Sequence, residues 1–408
     1  MSGVPAASVL LYSNNRILAS KGLINYIKYM ANLFDYLAWR GDLDFNTSPF
    51  NPVDNIILAQ LTYLTLDDIV PSLEDKDGIT IDLAIRVYNE KLKSPEGIKQ
   101  TSFFKDDPKL INALAVSKRF GRCYLFGYVN HSDTNREIQF SALSIITGDG
   151  YCSVAFRGTD ISLIGWKENL NMSVKEVIPS QIEAAEYLEK IVSMTKEKIR
   201  VIGHSKGGNL AVYAASQCGK NIQKRITDIY SNDAPGFHEK VLSSKGFAAI
   251  KDRIRSFVPQ ASVIGMFLKH GYENMVIKSS QTGLMQHDLY SWEVSHNDLI
   301  YAENSTVGSR YVNNTLREWI DNSDPEQREK FIEAMYHIFN AADIKSIYEL
   351  EVSWFPSACR IIKSLSHIDL PTRKLIRQIL ADLLRSAGRN IETFMKNDEL
   401  GIKNLEKQ

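Results

Sequence analysis

Cysteine is scarce in this chain, with four residues in 408. Cys123, Cys152, Cys218 and Cys359 stand far apart, without the paired spacing of a zinc or redox site and too few for a disulfide framework. Reduced, buried thiols are expected. Long apolar runs are missing as well: stretches such as Val9-Leu10-Leu11 fall far short of the roughly 18 residues that span a bilayer, and the N-terminus lacks the basic start of a secretory signal. A cytoplasmic protein without stable membrane insertion is the expectation. There is no excess charge of either sign. With 48 basic against 48 acidic side chains, nothing draws the chain as a whole to nucleic acid or anionic lipid. What is present is 44% hydrophobic content, over a length at which about three quarters of the unfolded surface can be buried. Such a core needs no staples.

No internal repeat or low-complexity stretch is visible, and changes of pattern divide the chain at about residues 1–120, 121–303 and 304–408. The first zone reads as helical: Leu23-Ile24 and Tyr26-Ile27 stand at helix spacing, and Val53 to Leu61 continues the pattern after turns at Pro49 and Pro52. The second zone changes to short β-type runs. Cys123 to Val129, Ile138 to Ile146 and Tyr151 to Phe156 are rich in β-branched and aromatic residues, with turn residues at Asn130 to Asp133 and Gly148 to Gly150. That pattern predicts an antiparallel meander. Helices over Ile182 to Ile199 and Gly208 to Cys218 then alternate with strands at Arg200 to Gly203, Ile226 to Ser231, Arg253 to Val258 and Asn274 to Lys278, which argues a mostly parallel sheet covered on both faces. Beyond about 310 the chain reads as helical again. Asp324-Pro325-Glu326-Gln327 carries helix-start signals, and Leu375, Ile379 and Leu383 run beside Ile376, Leu380 and Leu384 as an apolar stripe expected to pack on the sheet.

The sharpest chemical signal is Val201-Ile202-Gly203-His204-Ser205-Lys206-Gly207-Gly208-Asn209-Leu210, which contains G-x-S-x-G. The bare pattern is common, but here an apolar strand leads in and a helical run leaves, the setting of a nucleophile elbow. Gly203 and Gly207 flank the serine because a sharp turn brings the strand and helix backbones too close for side chains. The Ser205 hydroxyl is then held over the edge of the sheet, with the amide of Lys206 free to donate to a developing oxyanion.

A serine hydroxyl is a poor nucleophile at neutral pH and needs a base, itself oriented by an acid. His238, His270, His287 and His296 follow the serine within the sheet region; His287 lies in a loop just beyond the last expected strand, where the base should hang. Asp233, in Ser231-Asn232-Asp233-Ala234-Pro235-Gly236, follows a strand at its C-terminal end, where open α/β sheets gather functional loops. Asp288 and Glu273 are the alternative acids, since Val258 to Val263 holds no carboxylate. Val154-Ala155-Phe156-Arg157-Gly158-Thr159-Asp160 is a strand running into a polar loop, from which Thr159 can supply a second oxyanion donor. Arg157 is expected to hold that loop by pairing with a carboxylate, with substrate binding as the alternative.

Together, Phe156-Arg157-Gly158-Thr159, Gly203 to Gly208, Ala234-Pro235-Gly236 and Gln286-His287-Asp288-Leu289-Tyr290 resemble the class 3, or fungal-type, lipases, in the same order and with similar spacing. The whole chain, including Asp35 to Asp42 and Pro49 to Asp54, looks like a bacterial family of lipase-like proteins. The resemblance implies Ser205 as nucleophile, His287 as base, the amides of Thr159 and Lys206 as oxyanion hole, and a lid in the segment after Thr159 that carries Trp166 and Met172. Two departures stand out. Lys206 replaces a residue that is usually hydrophobic, which weighs against interfacial lipid binding, and Ala261-Ser262 stands where the lipases carry their acid.

The expectation is therefore an α/β-hydrolase fold with helical additions at both ends, acting as a serine hydrolase on a carboxylic ester or lipid-like acyl substrate through Ser205, His287 and Asp233. No metal or organic cofactor is called for, and no nucleic acid partner. A thioesterase, acyltransferase or amidase on the same triad, or an inactive hydrolase scaffold that binds a ligand or protein, are the alternatives.

Overall fold

The computed structural model describes residues 30–75, 77–93, 104–159, 168–169, 171–172, 174–262 and 264–306, with scattered residues from 314 to 374. Leu23 to Ile27, Trp166, Cys359 and the apolar stripe at 375–384 lie outside the described residues.

Eight strands form one sheet whose spatial order follows the chain. They are β1 (Ile79–Thr80), β2 (Tyr124–Asp133), β3 (Ile138–Ile146), β4 (Tyr151–Phe156), β5 (Lys198–His204), β6 (Ile226–Asn232), β7 (Ile254–Pro259) and β8 (Asn274–Ile277). β2 to β4 pair antiparallel, as the meander predicted, β1 adds antiparallel to β2, and β4 to β8 pair parallel, giving the α/β-hydrolase arrangement expected from the sequence.

The helices cover both faces. On one lie α1 (Leu33–Arg40), α2 (Pro52–Leu61), α3 (Ile81–Leu92) and α4 (Asp107–Val116), and on the other α5 (Pro179–Met194) and α6 (Lys206–Gln217). The side-chain alternation of the central strands shows why. Ala155, Ile202 and Tyr230 join the core of the N-terminal helices, whereas their neighbours Val154, Val201 and Ile229 join that of α5 and α6. A strand has a period of two, so a continuous apolar run fills two cores at once.

Differences from the sequence reading have local causes. β2 continues through Asn130 to Asp133, which read as a turn; there His131 and Asp133 pair with Phe140 and Ile138, and the chain reverses between Asp133 and Ile138 instead. The polar composition marked a hairpin arm exposed at its end. The helix expected over Ile182 to Ile199 runs from Pro179 to Met194 instead, since Pro179 opens it and Ile199 is drawn into parallel pairing with Ile226. The two-residue strand β1, within a zone that read as helical, is too short to show any periodicity. In the C-terminal region, Asp324 and Gln327 exchange the reciprocal bonds of a capping box, as the cap signal predicted.

Candidate active site

The elbow is built by strand β5 and helix α6. Ser205 separates them at φ 57° and ψ −132°, a conformation that L residues avoid and that costs of order 1–3 kcal/mol. A Cβ on Gly203 would collide with the Gly207 carbonyl, and one on Gly207 with the Phe156 carbonyl. Only glycine lets β5, α6 and β4 meet so closely. The Ser205 amide donates to the Asn232 carbonyl at 2.8 Å, so the end of β6 fixes the turn.

Asn232 also ties the sheet to helix α2. Its side-chain amide donates to the Gly203 carbonyl at 3.0 Å and exchanges two bonds with Asn55 of α2, at 2.8 and 3.0 Å. Asp233 follows at φ 44°, its amide bonded to the Phe257 carbonyl at 2.7 Å. Nucleophile candidate and acid candidate are thus both held in left-handed backbone.

Asp233 and His287 meet: His287 Nδ1 donates to Asp233 Oδ2 at 2.6 Å. The other carboxylate oxygen accepts from the Ser262 hydroxyl at 2.5 Å and the Gly265 amide at 3.1 Å. With three donors around it, Asp233 is 1% exposed and set up as an acceptor. Ser262 stands where the resemblance places a carboxylate, and here it supports a carboxylate arriving from the neighbouring strand. The alternative acids do other things. Asp288 caps a turn through the Tyr290 amide at 3.0 Å, and Glu273 is exposed. His270 bonds the Ala234 carbonyl at 3.0 Å and His238 the Met172 carbonyl at 2.8 Å.

His287 reaches the elbow through His204. The two rings lie 4.4 Å apart, and His204 Nε2 contacts the His287 carbonyl at 2.9 Å while its Nδ1 contacts the Tyr63 hydroxyl at 2.8 Å. Burial, with His287 adding to it, holds the His204 imidazole well below the usual histidine range, so this ring is neutral. Among the described residues the Ser205 hydroxyl is not hydrogen-bonded to His287.

Gly158 is pressed against the elbow. A Cβ there would strike the Tyr63 hydroxyl and come within 3.0 Å of Ser205 Cβ, which places the peptide leading to Thr159 beside the serine. Thr159 is buried, and its hydroxyl has no partner among the described residues. Lys206 is the first residue of α6, so its amide has no acceptor within the helix. Arg157 is buried and donates to Asn130 at 2.7 Å.

The Lys206 side chain turns inward. Its ammonium bonds Glu168 at 2.7 Å and both oxygens of Gln139, at 2.5 and 3.0 Å, with neither charged group exposed. Its charge is therefore not displayed where a lipid would approach, and the argument against interfacial binding drawn from this residue loses its basis. Met172 is buried in the same region, 3% exposed.

Sequence reasoning passed over His204, Tyr63, Ser262 and the Lys206, Glu168 and Gln139 cluster. Only His204, inside the G-x-S-x-G pattern, carried a local signal. The other contacts join segments at least 29 positions apart, whose meeting no spacing rule predicts.

The Mbeg1-like family matches residues 114–337, more than half of the chain. The chain belongs to the Mbeg1-like family. That family is lipase-like, and the match spans the elbow, Asp233 and His287. No curated protein matches this Mbeg1-like sequence. Among solved structures, a crystal structure of M37 lipase is similar at 16% identity, covering 52% of this chain and 68% of that one, with a TM-score of 0.32. Among the described residues of the Mbeg1-like chain, no helix is long and apolar enough to cross a membrane, and no cluster of His, Cys, Asp and Glu could hold a metal ion.

Proposed function

We propose that this protein is a serine hydrolase that cleaves a carboxylic ester. Ser205 attacks the acyl carbon, His287 takes its proton and returns it to the leaving alcohol, Asp233 orients the imidazole, and water clears the acyl-enzyme. The amides of Thr159 and Lys206 receive the developing oxyanion. One observation carries the reading: the 2.6 Å bond between Asp233 and His287 forms beside a serine held at positive φ between a parallel strand and a helix. That bond fixes Nδ1 as the protonated nitrogen and leaves Nε2 as the basic one. The missing bond from Ser205 to His287 fits a free enzyme whose catalytic contacts tighten on substrate binding. Membership of a lipase-like family supports an acyl ester over other substrates.

A fluorophosphonate probe is the test. The protein should be labelled, and Ser205→Ala should abolish labelling while the circular dichroism spectrum stays unchanged. Labelling that survives the substitution removes Ser205 from this role. A panel of p-nitrophenyl esters, acyl-CoA thioesters and amides then fixes the leaving group, which a triad does not determine.

A further inference from the structure

His287 ends a short 3-10 turn, Gly283–His287, at the rim of the sheet. The turn is tied down on one side by Gln286, whose side chain accepts from the Ala261 amide at 2.7 Å, and by the Trp292 indole, which donates to the Gln286 carbonyl at 2.9 Å. Neither bond touches His287 itself. Among the described residues, its side chain is held by Asp233 and its own carbonyl by His204.

The protons on this second contact can be placed. A carbonyl oxygen only accepts, so His204 Nε2 must carry a hydrogen. A neutral imidazole has one N–H, so Nδ1 is the bare nitrogen and the Tyr63 hydroxyl donates to it. A chain of donors therefore runs from Tyr63, just past the end of α2, through the His204 ring to the main chain of the proposed base. Among the described residues the groups facing His204 are Tyr63, Phe104 and His287, and those facing His287 are Asp233, Asp288 and His204. No carboxylate among them bonds His204, and burial disfavours its cation. A neutral ring at this position also avoids repelling the imidazolium that forms on His287 during turnover.

We propose that Tyr63 and His204 are positioning residues: the tyrosine selects the Nε2–H tautomer of His204, and that N–H holds the His287 carbonyl so that the base is aimed at Ser205 from its backbone as well as from Asp233. The proposal rests on the serine hydrolase reading for its effect on rate, but the tautomer and the contact stand apart from it. A base held from two sides needs little reorganisation to reach the serine, whereas one held only by its side chain can swing about the Asp233 bond. Small misplacements of this kind cost up to about a hundredfold in rate.

The test uses the full chain. Tyr63→Phe removes one oxygen and keeps the ring, so it tests the hydroxyl without leaving a cavity. It should lower kcat on a p-nitrophenyl ester about three- to tenfold with little change in KM, and displace the pH midpoint of fluorophosphonate labelling. His204→Leu should lower kcat about ten- to a hundredfold. His204→Gln, whose side-chain amide can donate where Nε2 did, should recover most of that loss. If both Tyr63→Phe and His204→Leu keep the wild-type kcat and pH midpoint while Ser205→Ala abolishes labelling, the positioning role is overturned and the hydrolase reading stands. If the wild-type protein is never labelled, the hydrolase reading fails, and the tautomer still decides the geometry. Nitrogen NMR of histidine-labelled protein should find His204 protonated at Nε2 and bare at Nδ1, with Tyr63→Phe mixing the two forms. A His204 protonated at Nδ1 in the wild type overturns the proposal whatever the activity.

Discussion

Glu168→Gln isolates the buried ion pair beneath the elbow. Glu168 accepts three bonds: from the Lys206 ammonium at 2.7 Å, the Gln139 amide at 3.1 Å and the Ser180 amide at 3.1 Å. Every neighbour is an N–H donor, so whichever way a glutamine side chain is turned, its NH2 meets another donor. The ammonium spends its three hydrogens on Glu168 and Gln139, and neither charged group is exposed. Removing one member of a fully buried pair costs about 3–5 kcal/mol. At about 2 °C per kcal/mol for a large domain, that becomes a fall in Tm of about 6–10 °C. Differential scanning calorimetry at pH 7 reads it directly. Lys206→Met alone should cost a similar amount by stranding the carboxylate, and the double variant should lose less than the sum of the two, because neither charge is then left unpaired. A fall below about 2 °C for Glu168→Gln, or strictly additive losses, would refute the account.

Asp233→Asn should lower kcat by about 10⁴-fold, the loss expected when the group orienting a catalytic imidazole can no longer accept from it, with the fold preserved through Ser262 and Gly265. A loss under tenfold in a steady-state ester assay would return the acid role to another group. Burial, with Asp106 and Asp107 adding to it, raises the Asp288 carboxyl to about 7. Its folded value lies above its unfolded one, so its contribution is complete below about pH 4 and is lost as pH rises through about 7. Asp288→Asn, which keeps an oxygen for the Tyr290 amide, should therefore melt above wild type at pH 8 but not at pH 4. An equal difference at both values contradicts this.

Strands were legible where their sequence was apolar and their ends abrupt. Ile138 to Ile146 and Tyr151 to Phe156 have the same limits in sequence and structure, because β-branched runs bounded by turn residues leave little choice of register. Asn130 to Asp133 misled because polar residues at the tip of a hairpin arm are chosen by solvent, not by backbone conformation. At the candidate site, the strand, turn and helix around Ser205 were readable because such a turn imposes glycines at fixed offsets, and the meeting of Asp233 with His287 because strand ends gather loops together. Tyr63, Ser262 and Glu168 were not readable. Each bonds a residue at least 29 positions away along the chain, and such a bond leaves no pattern in local composition.

The exchange of amides between Asn55 and Asn232 bears on how this protein can be handled. Asn232 sets the Ser205 turn with its carbonyl and leads directly into Asp233, so helix α2 is wired to both the candidate nucleophile and the candidate acid. A shortened version starting near residue 121 would carry every motif a reader of the sequence would want to keep. It would also strip one side of the sheet bare and leave Asn232 without the neighbour that steadies it, so trimming for expression should begin elsewhere.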